Sequence, residues 1–138
     1  FAAAGYHAEG MNIGGSLEVG GVKIHMVHAL HTSYTGHPAG FVIELGGKQV
    51  YHAGDTGLTM DMRLLKEFFA IDLAFLPIGD RYTMGAKSAA RAVEFTGAKQ
   101  AVPMHYGTWP PIVGEVEEFR KLAGAAAVIL KPGEAVSI

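Results

Sequence analysis

The stretch Ser16-Leu17-Glu18-Val19-Gly20-Gly21-Val22-Lys23-Ile24-His25-Met26-Val27-His28 decides the fold class. Val22, Ile24 and Met26 alternate with Lys23 and His25, the period of two that belongs to a strand with unlike faces. Gly20-Gly21 is a two-residue turn, because glycine reaches positive φ without a Cβ clash. A hairpin over 16–19 and 22–28 is therefore predicted. A second follows over 40–45 and 48–52 about Gly46-Gly47, with Phe41, Ile43 and Leu45 alternating with Val42 and Glu44.

Beyond residue 60 the period changes. Met62, Leu65, Phe68 and Phe69 recur at helical spacing, with Asp61 placed to cap the start. Residues 71–78 are apolar except for Asp72 and read as a buried strand. Residues 86–95 carry Ala89, Ala90 and Val93 on one side and stop at Gly97, a second helix. A strand over 100–104 and a loop from His105 to Pro111 follow. Residues 113–122 form a third helix, with Glu115, Glu117 and Glu118 early and Arg120 and Lys121 late, as the helix dipole favours. Residues 126–130 and 134–138 read as short closing strands, and residues 1–7 as the tail of a helix. Hairpins followed by alternating helix and strand predict an α/β (α+β) domain, a mixed sheet covered by helices.

The composition narrows the function. The chain has 138 residues, 49% hydrophobic and 17% charged, enough for one core and too apolar for a disordered tail. Eleven basic and 13 acidic side chains give a net charge of −2, with no general pull toward nucleic acid or an anionic membrane. No apolar run approaches the roughly 20 residues of a membrane span. Phe1-Ala2-Ala3-Ala4-Gly5 has neither the basic flank nor the apolar length of a signal peptide. Cysteine is absent, which excludes disulfides and thiolate zinc sites and fits a reducing, cytoplasmic setting.

Seven histidines are the richest chemical signal: His7, His25, His28, His31, His37, His52 and His105. Position singles out His31 and His105, together with Asp55. Each sits just past the C-terminal end of a predicted strand, where layered α/β folds gather functional groups. Two imidazoles and a carboxylate form a nitrogen/oxygen set suited to zinc, manganese or iron. Gly54-Asp55-Thr56-Gly57 taken alone reads sooner as a turn in which the aspartate bonds its own backbone. Asp55-Thr56-Gly57 also matches the aspartic-protease triplet, but three helical patterns do not suit a small all-β protease. The chain has no H-E-x-x-H, G-x-S-x-G, P-loop or G-x-G-x-x-G.

Four stretches in order carry a resemblance: Ala29-Leu30-His31-Thr32-Ser33, Tyr51-His52-Ala53-Gly54-Asp55-Thr56-Gly57, Leu76-Pro77-Ile78-Gly79-Asp80-Arg81-Tyr82-Thr83-Met84-Gly85 and Pro103-Met104-His105-Tyr106-Gly107-Thr108. Together they resemble the C-terminal half of the metallo-β-lactamase superfamily, closest to its small prokaryotic metal-dependent hydrolases. That resemblance implies half of an αββα sandwich. It also implies two divalent metal ions at one edge, zinc foremost, with manganese or iron as alternatives. His31, Asp55 and His105 would be ligands, Asp55 bridging both ions, and a bridging hydroxide would attack an ester, amide or phosphoester. The superfamily string H-x-H-x-D-H is absent from the sequence. The expectation is therefore that an N-terminal half, on a separate or cleaved chain, completes the ligand set and supplies the general base.

His52, Asp80, Arg81, Tyr106 and Thr108 lie beside the expected ligands in sequence and are candidate pocket residues. Arg81 suits an anionic group such as phosphate or carboxylate, and equally a pairing with Asp80. His52 suits orientation of a ligand, His28 suits packing, and Trp109-Pro110-Pro111 suits a rigid loop wall. A small, anionic substrate and a homo-oligomer are further expectations. A non-catalytic binding subunit is the rival to catalysis.

Overall fold

The computed structural model describes residues 4, 5 and 8–138. The elements run β1 (Ser16–Val19), β2 (Val22–His28), β3 (Ala39–Leu45), β4 (Lys48–His52), α1 (Asp61–Phe68), β5 (Leu73–Pro77), α2 (Ala86–Thr96), β6 (Gln100–Met104) and α3 (Val116–Ala123). Six strands lie side by side in chain order in one sheet. Strands β1 to β4 pair antiparallel, whereas β4, β5 and β6 pair parallel. Two consecutive antiparallel pairings return the chain to its first direction. Hence β2, β4, β5 and β6 all run the same way and present their C-terminal ends at one edge. This edge collects the candidate residues.

The register separates two faces. The row His25–Val42–Tyr51–Ala74–Ala101 lies under the helices, and Val42, Tyr51, Ala74 and Ala101 are fully buried. Met62 and Leu65 of α1, the alanine side of α2 and Phe119 of α3 complete this core. Alanine lets α2 approach the sheet closely, and Gly97 at φ 65° ends that helix in a left-handed turn, as its sequence predicts. Burial without a partner pushes the Tyr51 hydroxyl pKa well up. The other face carries the row Met26–Phe41–His52–Phe75–Val102. There Met26, Phe41, Ile43, Val50 and Phe75 are only partly covered.

At the far edge, where β4, β5 and β6 begin, polar groups stitch the strands. The Asp72 carboxylate accepts the Gln49 backbone N–H at 2.9 Å and the Lys99 ammonium at 2.8 Å. The Gln49 side-chain oxygen accepts the Ala70 N–H at 2.6 Å.

Several sequence expectations need correction. Asp61 does not cap α1: Met60 is the N-cap, and the Asp61 carboxylate bonds His28 Nδ1 at 2.6 Å. His28, expected to pack, thus anchors a helix end. The third helix begins at Val116, because Pro110–Ile112 forms its own 3₁₀ turn and Gly114 takes positive φ. Neither closing strand forms among the described residues. Residues 126–130 touch the sheet through one bridge, Ala101 to Ala127, and residues 134–138 make no ladder. The helix tail expected over 1–7, apart from residues 4 and 5, falls outside the described residues, as does His7.

Candidate metal centre

Beyond β2 the chain is tied to the loop that follows β4. The Leu30 N–H donates to Thr56 Oγ1 at 2.9 Å, and the Gly57 N–H donates to the Leu30 carbonyl at 2.9 Å. Thr56 is fully buried, and its hydroxyl donates on to the Gly57 carbonyl at 2.7 Å. This clasp fixes residues 29–31 beside residues 55–57. Gly54 makes the turn possible: it sits at φ 65°, and a Cβ there would lie 2.6 Å from the Ala39 carbonyl oxygen. The turn projects Asp55 at the edge, with its side chain half exposed.

Beyond β6 stands His105, at φ 56°. Only Asp80 shares a positive φ among the described non-glycine residues, at 70° beyond β5. Such conformations are disfavoured for residues with a Cβ and persist where surrounding contacts hold them, commonly at functional sites. Here the restraint is visible. Ile78 N–H donates to the Met104 carbonyl at 3.0 Å, and a Cβ on Gly79 would meet the His105 carbonyl oxygen at 2.5 Å and Nδ1 at 3.1 Å. Gly79 therefore lets β5 press directly on His105.

His105 Nε2 lies 3.6 Å from Asp55 Oδ2. That is too long for a hydrogen bond. It is close to the separation of two donors each about 2.0–2.1 Å from one tetrahedral ion, which is roughly 3.4 Å. His105 Nδ1 is buried without a hydrogen-bond partner. The pair thus fits a share in a metal site by donor type and spacing. His31 Nδ1 bonds the Thr32 carbonyl at 2.9 Å. A carbonyl only accepts, so the proton sits on Nδ1 and the Nε2 lone pair remains free to ligate. The structure brings Asp55 and His105 together. It places His31 on the same edge but not within their group, and among the described residues no three His, Asp or Glu side chains gather to hold an ion.

The pocket candidates divide. Asp80 and Arg81 do not pair. They open a closed loop in which the Asp80 N–H donates to Met84 O at 3.0 Å and the Met84 N–H to Thr56 O at 3.0 Å. Asp80 and Arg81 line a cleft of about 460 Å³ with the start of α2, Gly114 and Glu115. Tyr106 is half-buried against the core, and Thr108 is exposed. His52 lies on the open sheet face, where its Nδ1 accepts the Gly54 N–H at 3.2 Å and its ring tilts against Phe75. Its hydrogen bond supports the turn that projects Asp55. Sequence reading missed Thr56 and Gly79 as parts of the site. The first was visible only as a small hydroxyl beside Asp55, and the second only as a glycine after an apolar strand.

A family profile described as beta-lactamase superfamily domain matches residues 2–106. The chain is 53% identical over 137 residues to a UPF0173 metal-dependent hydrolase of Thermococcus onnurineus, covering 94% of this chain and 61% of that protein. It is 46% identical to another of the same name from Methanoregula boonei, covering 99% and 67%. This chain belongs to the metallo-β-lactamase superfamily, among the UPF0173 metal-dependent hydrolases. Igni18, a metallo hydrolase of Ignicoccus hospitalis, superposes with a TM-score of 0.91 at 38% identity, over 98% of this chain and 62% of its own. The chain therefore spans under two-thirds of the Thermococcus and Ignicoccus proteins' length. The mixed sheet with helices on one face is the fold of these metallo-β-lactamase relatives, and it leaves no place for an all-β aspartic-protease reading of Asp55-Thr56-Gly57.

Proposed function

We propose that this chain is the C-terminal part of a metal-dependent hydrolase and supplies His31, Asp55 and His105 to a two-ion site. The observation that carries the reading is the 3.6 Å approach of Asp55 Oδ2 and His105 Nε2 at the edge where four strands end. Divalent ions bound there, zinc foremost for this nitrogen/oxygen set, supply Lewis acidity and a water of lowered pKa for attack on an ester, amide or phosphoester. Asp55, with two oxygens and a half-exposed side chain, would be the ligand that the two ions share. The Thr56–Leu30 clasp keeps His31 in reach, and Gly79 holds His105 against the end of β5.

The remaining ligands and the general base come from an N-terminal half that is not part of these 138 residues. The open sheet face, with Met26, Phe41, Ile43, Val50 and Phe75 partly covered, is the surface suited to that half. Arg81 serves an anionic substrate group from the edge of the cleft. The test is metal analysis and hydrolysis of an aryl ester and an aryl phosphodiester by the protein joined to its N-terminal half. Wild type should bind metal and turn over one of them. Asp55→Ala should lose both properties while keeping its fold. A protein that binds no divalent metal would refute the reading in favour of a non-catalytic binding subunit.

A further inference from the structure

Two large aromatic side chains stand in the open at the same edge. Tyr82, in the loop after β5, is 48% exposed, and Trp109, in the loop after β6, is 50% exposed. Their rings are stacked, with centroids 6.0 Å apart and planes 9° from parallel. The Arg81 guanidinium lies over Tyr82, its carbon 5.5 Å from the ring centroid.

Bracing of the two loops does not account for the stack. Each loop is already closed by its own backbone. Thr83 N–H donates to Asp80 O at 3.2 Å, and Asp80 N–H to Met84 O at 3.0 Å. Gly107 N–H donates to Ile112 O at 2.6 Å, and Ile112 N–H to Trp109 O at 3.1 Å. Nor is Arg81 neutralised. Among the described residues no carboxylate pairs with it, whereas the nearby Lys87 faces Glu118 at 3.6 Å. A guanidinium with its hydrogen-bonding fork free, beside a flat apolar surface, matches a ligand that has an anionic head and a flat apolar body.

The ledge is also fixed in place relative to the candidate metal centre. The Met84 N–H bonds the Thr56 carbonyl, next to Asp55, and Met84 is two residues from Tyr82. Trp109 is four residues from His105, so their Cα atoms are at most about 14 Å apart.

We propose that Arg81, Tyr82 and Trp109 form a recognition ledge for a substrate with an anionic group on an aromatic or similarly flat apolar body. This names the substrate class of the site above and rests on that reading for its catalytic meaning. Arg81 takes the carboxylate or phosphate oxygens, and the flat body rests against the exposed flank of the Tyr82–Trp109 stack.

The test is ¹⁹F NMR of the protein, N-terminal half included, labelled with 5-fluorotryptophan. The Trp109 resonance is assigned by its disappearance in Trp109→Phe. Benzylphosphonate, which has no ester, amide or phosphoester bond to hydrolyse, should shift that resonance saturably. Inorganic phosphate and benzyl alcohol, each carrying half of the required chemistry, should bind about tenfold more weakly or not at all. Arg81→Gln should raise the benzylphosphonate Kd by about tenfold or more. Tyr82→Ala should weaken it by several-fold with an unchanged Tm. No saturable shift, equal affinity for benzyl alcohol, or an Arg81→Gln variant that binds like wild type would overturn the proposal. Asp55→Asn separates the two readings. If it loses metal and still shows the shift, both stand. If wild type lacks metal and shows the shift, the ledge stands and the hydrolase reading falls.

Discussion

Asp55 and Asp72 stand at opposite ends of the same parallel strands and have opposite fates. Asp72 is 8% exposed and fully engaged, with one oxygen on Lys99 Nζ and the other on the Gln49 backbone N–H. The Lys99 ammonium first, then the Gln49 N–H, hold its carboxyl below its ordinary value. Asp55 is half exposed, and its nearest ionic neighbour, His105 Nε2, is 3.6 Å away. A satisfied carboxylate contributes to stability. An unsatisfied one, held in place by glycine turns and a buried threonine, is free to bind something else. The two aspartates differ in unused bonding capacity and not in burial alone.

Removing Asp55 should have the largest effect, and it should fall on function alone. Asp55→Ala should weaken metal binding by at least about a hundredfold, since even indirect partners of ligands are worth 10–100-fold. Its stability in the metal-free state, read by urea unfolding in the presence of chelator, should stay within about 0.5 kcal/mol of wild type. A large stability loss would make Asp55 another Asp72.

Gly79→Ala tests whether the functional end depends on close backbone approach. The added Cβ would meet the His105 carbonyl at 2.5 Å, so a strand must shift. Destabilisation of about 1–3 kcal/mol is expected, together with weaker metal binding, because the displaced element carries His105. Loss of stability with unchanged metal affinity would show that His105 is not a ligand.

Asp72→Asn should do the reverse of Asp55→Ala, lowering stability by about 1–2 kcal/mol with metal content unchanged. Its pH dependence has a definite sign. The folded-state pKa is depressed, so the carboxylate's contribution is complete above the unfolded value near 3.8 and is lost as pH falls through the folded value. The wild-type advantage over Asp72→Asn should therefore shrink in acid below about pH 4. The smallest effect is expected at His28, half exposed and paired with the exposed Asp61: His28→Ala should change stability by no more than about 1 kcal/mol.

Much of this was legible in the sequence for local reasons. The glycine pairs 20–21 and 46–47 announce both hairpins, because the chain reverses there through positive φ. Position at the C-terminal ends of strands then singles out His31, Asp55 and His105. What stayed hidden depends on distant partners. Asp61 reads as a cap, but His28, 33 residues earlier, claims its carboxylate. Residues 126–130 have a strand's composition, yet they meet the edge of β6 in a single bridge, Ala101 to Ala127, with the Val128 N–H on the Ala101 carbonyl. The Tyr82–Trp109 stack joins residues from two loops, and no spacing rule within either loop predicts it. His31 is on the expected edge, but its ring rotation is set by the Thr32 carbonyl, which composition does not encode.

The proposed function places metal at the end of the sheet that bears Asp55 and not at the end that bears Asp72. Elemental analysis after gel filtration tests this most directly, on wild type, Asp55→Ala and Asp72→Asn, each joined to the N-terminal half proposed above. Wild type and Asp72→Asn should carry the same divalent metal content, and Asp55→Ala should carry almost none while eluting like wild type and, in chelator, unfolding like it. A folded Asp55→Ala protein that keeps the wild-type metal content would show that the metal is held elsewhere.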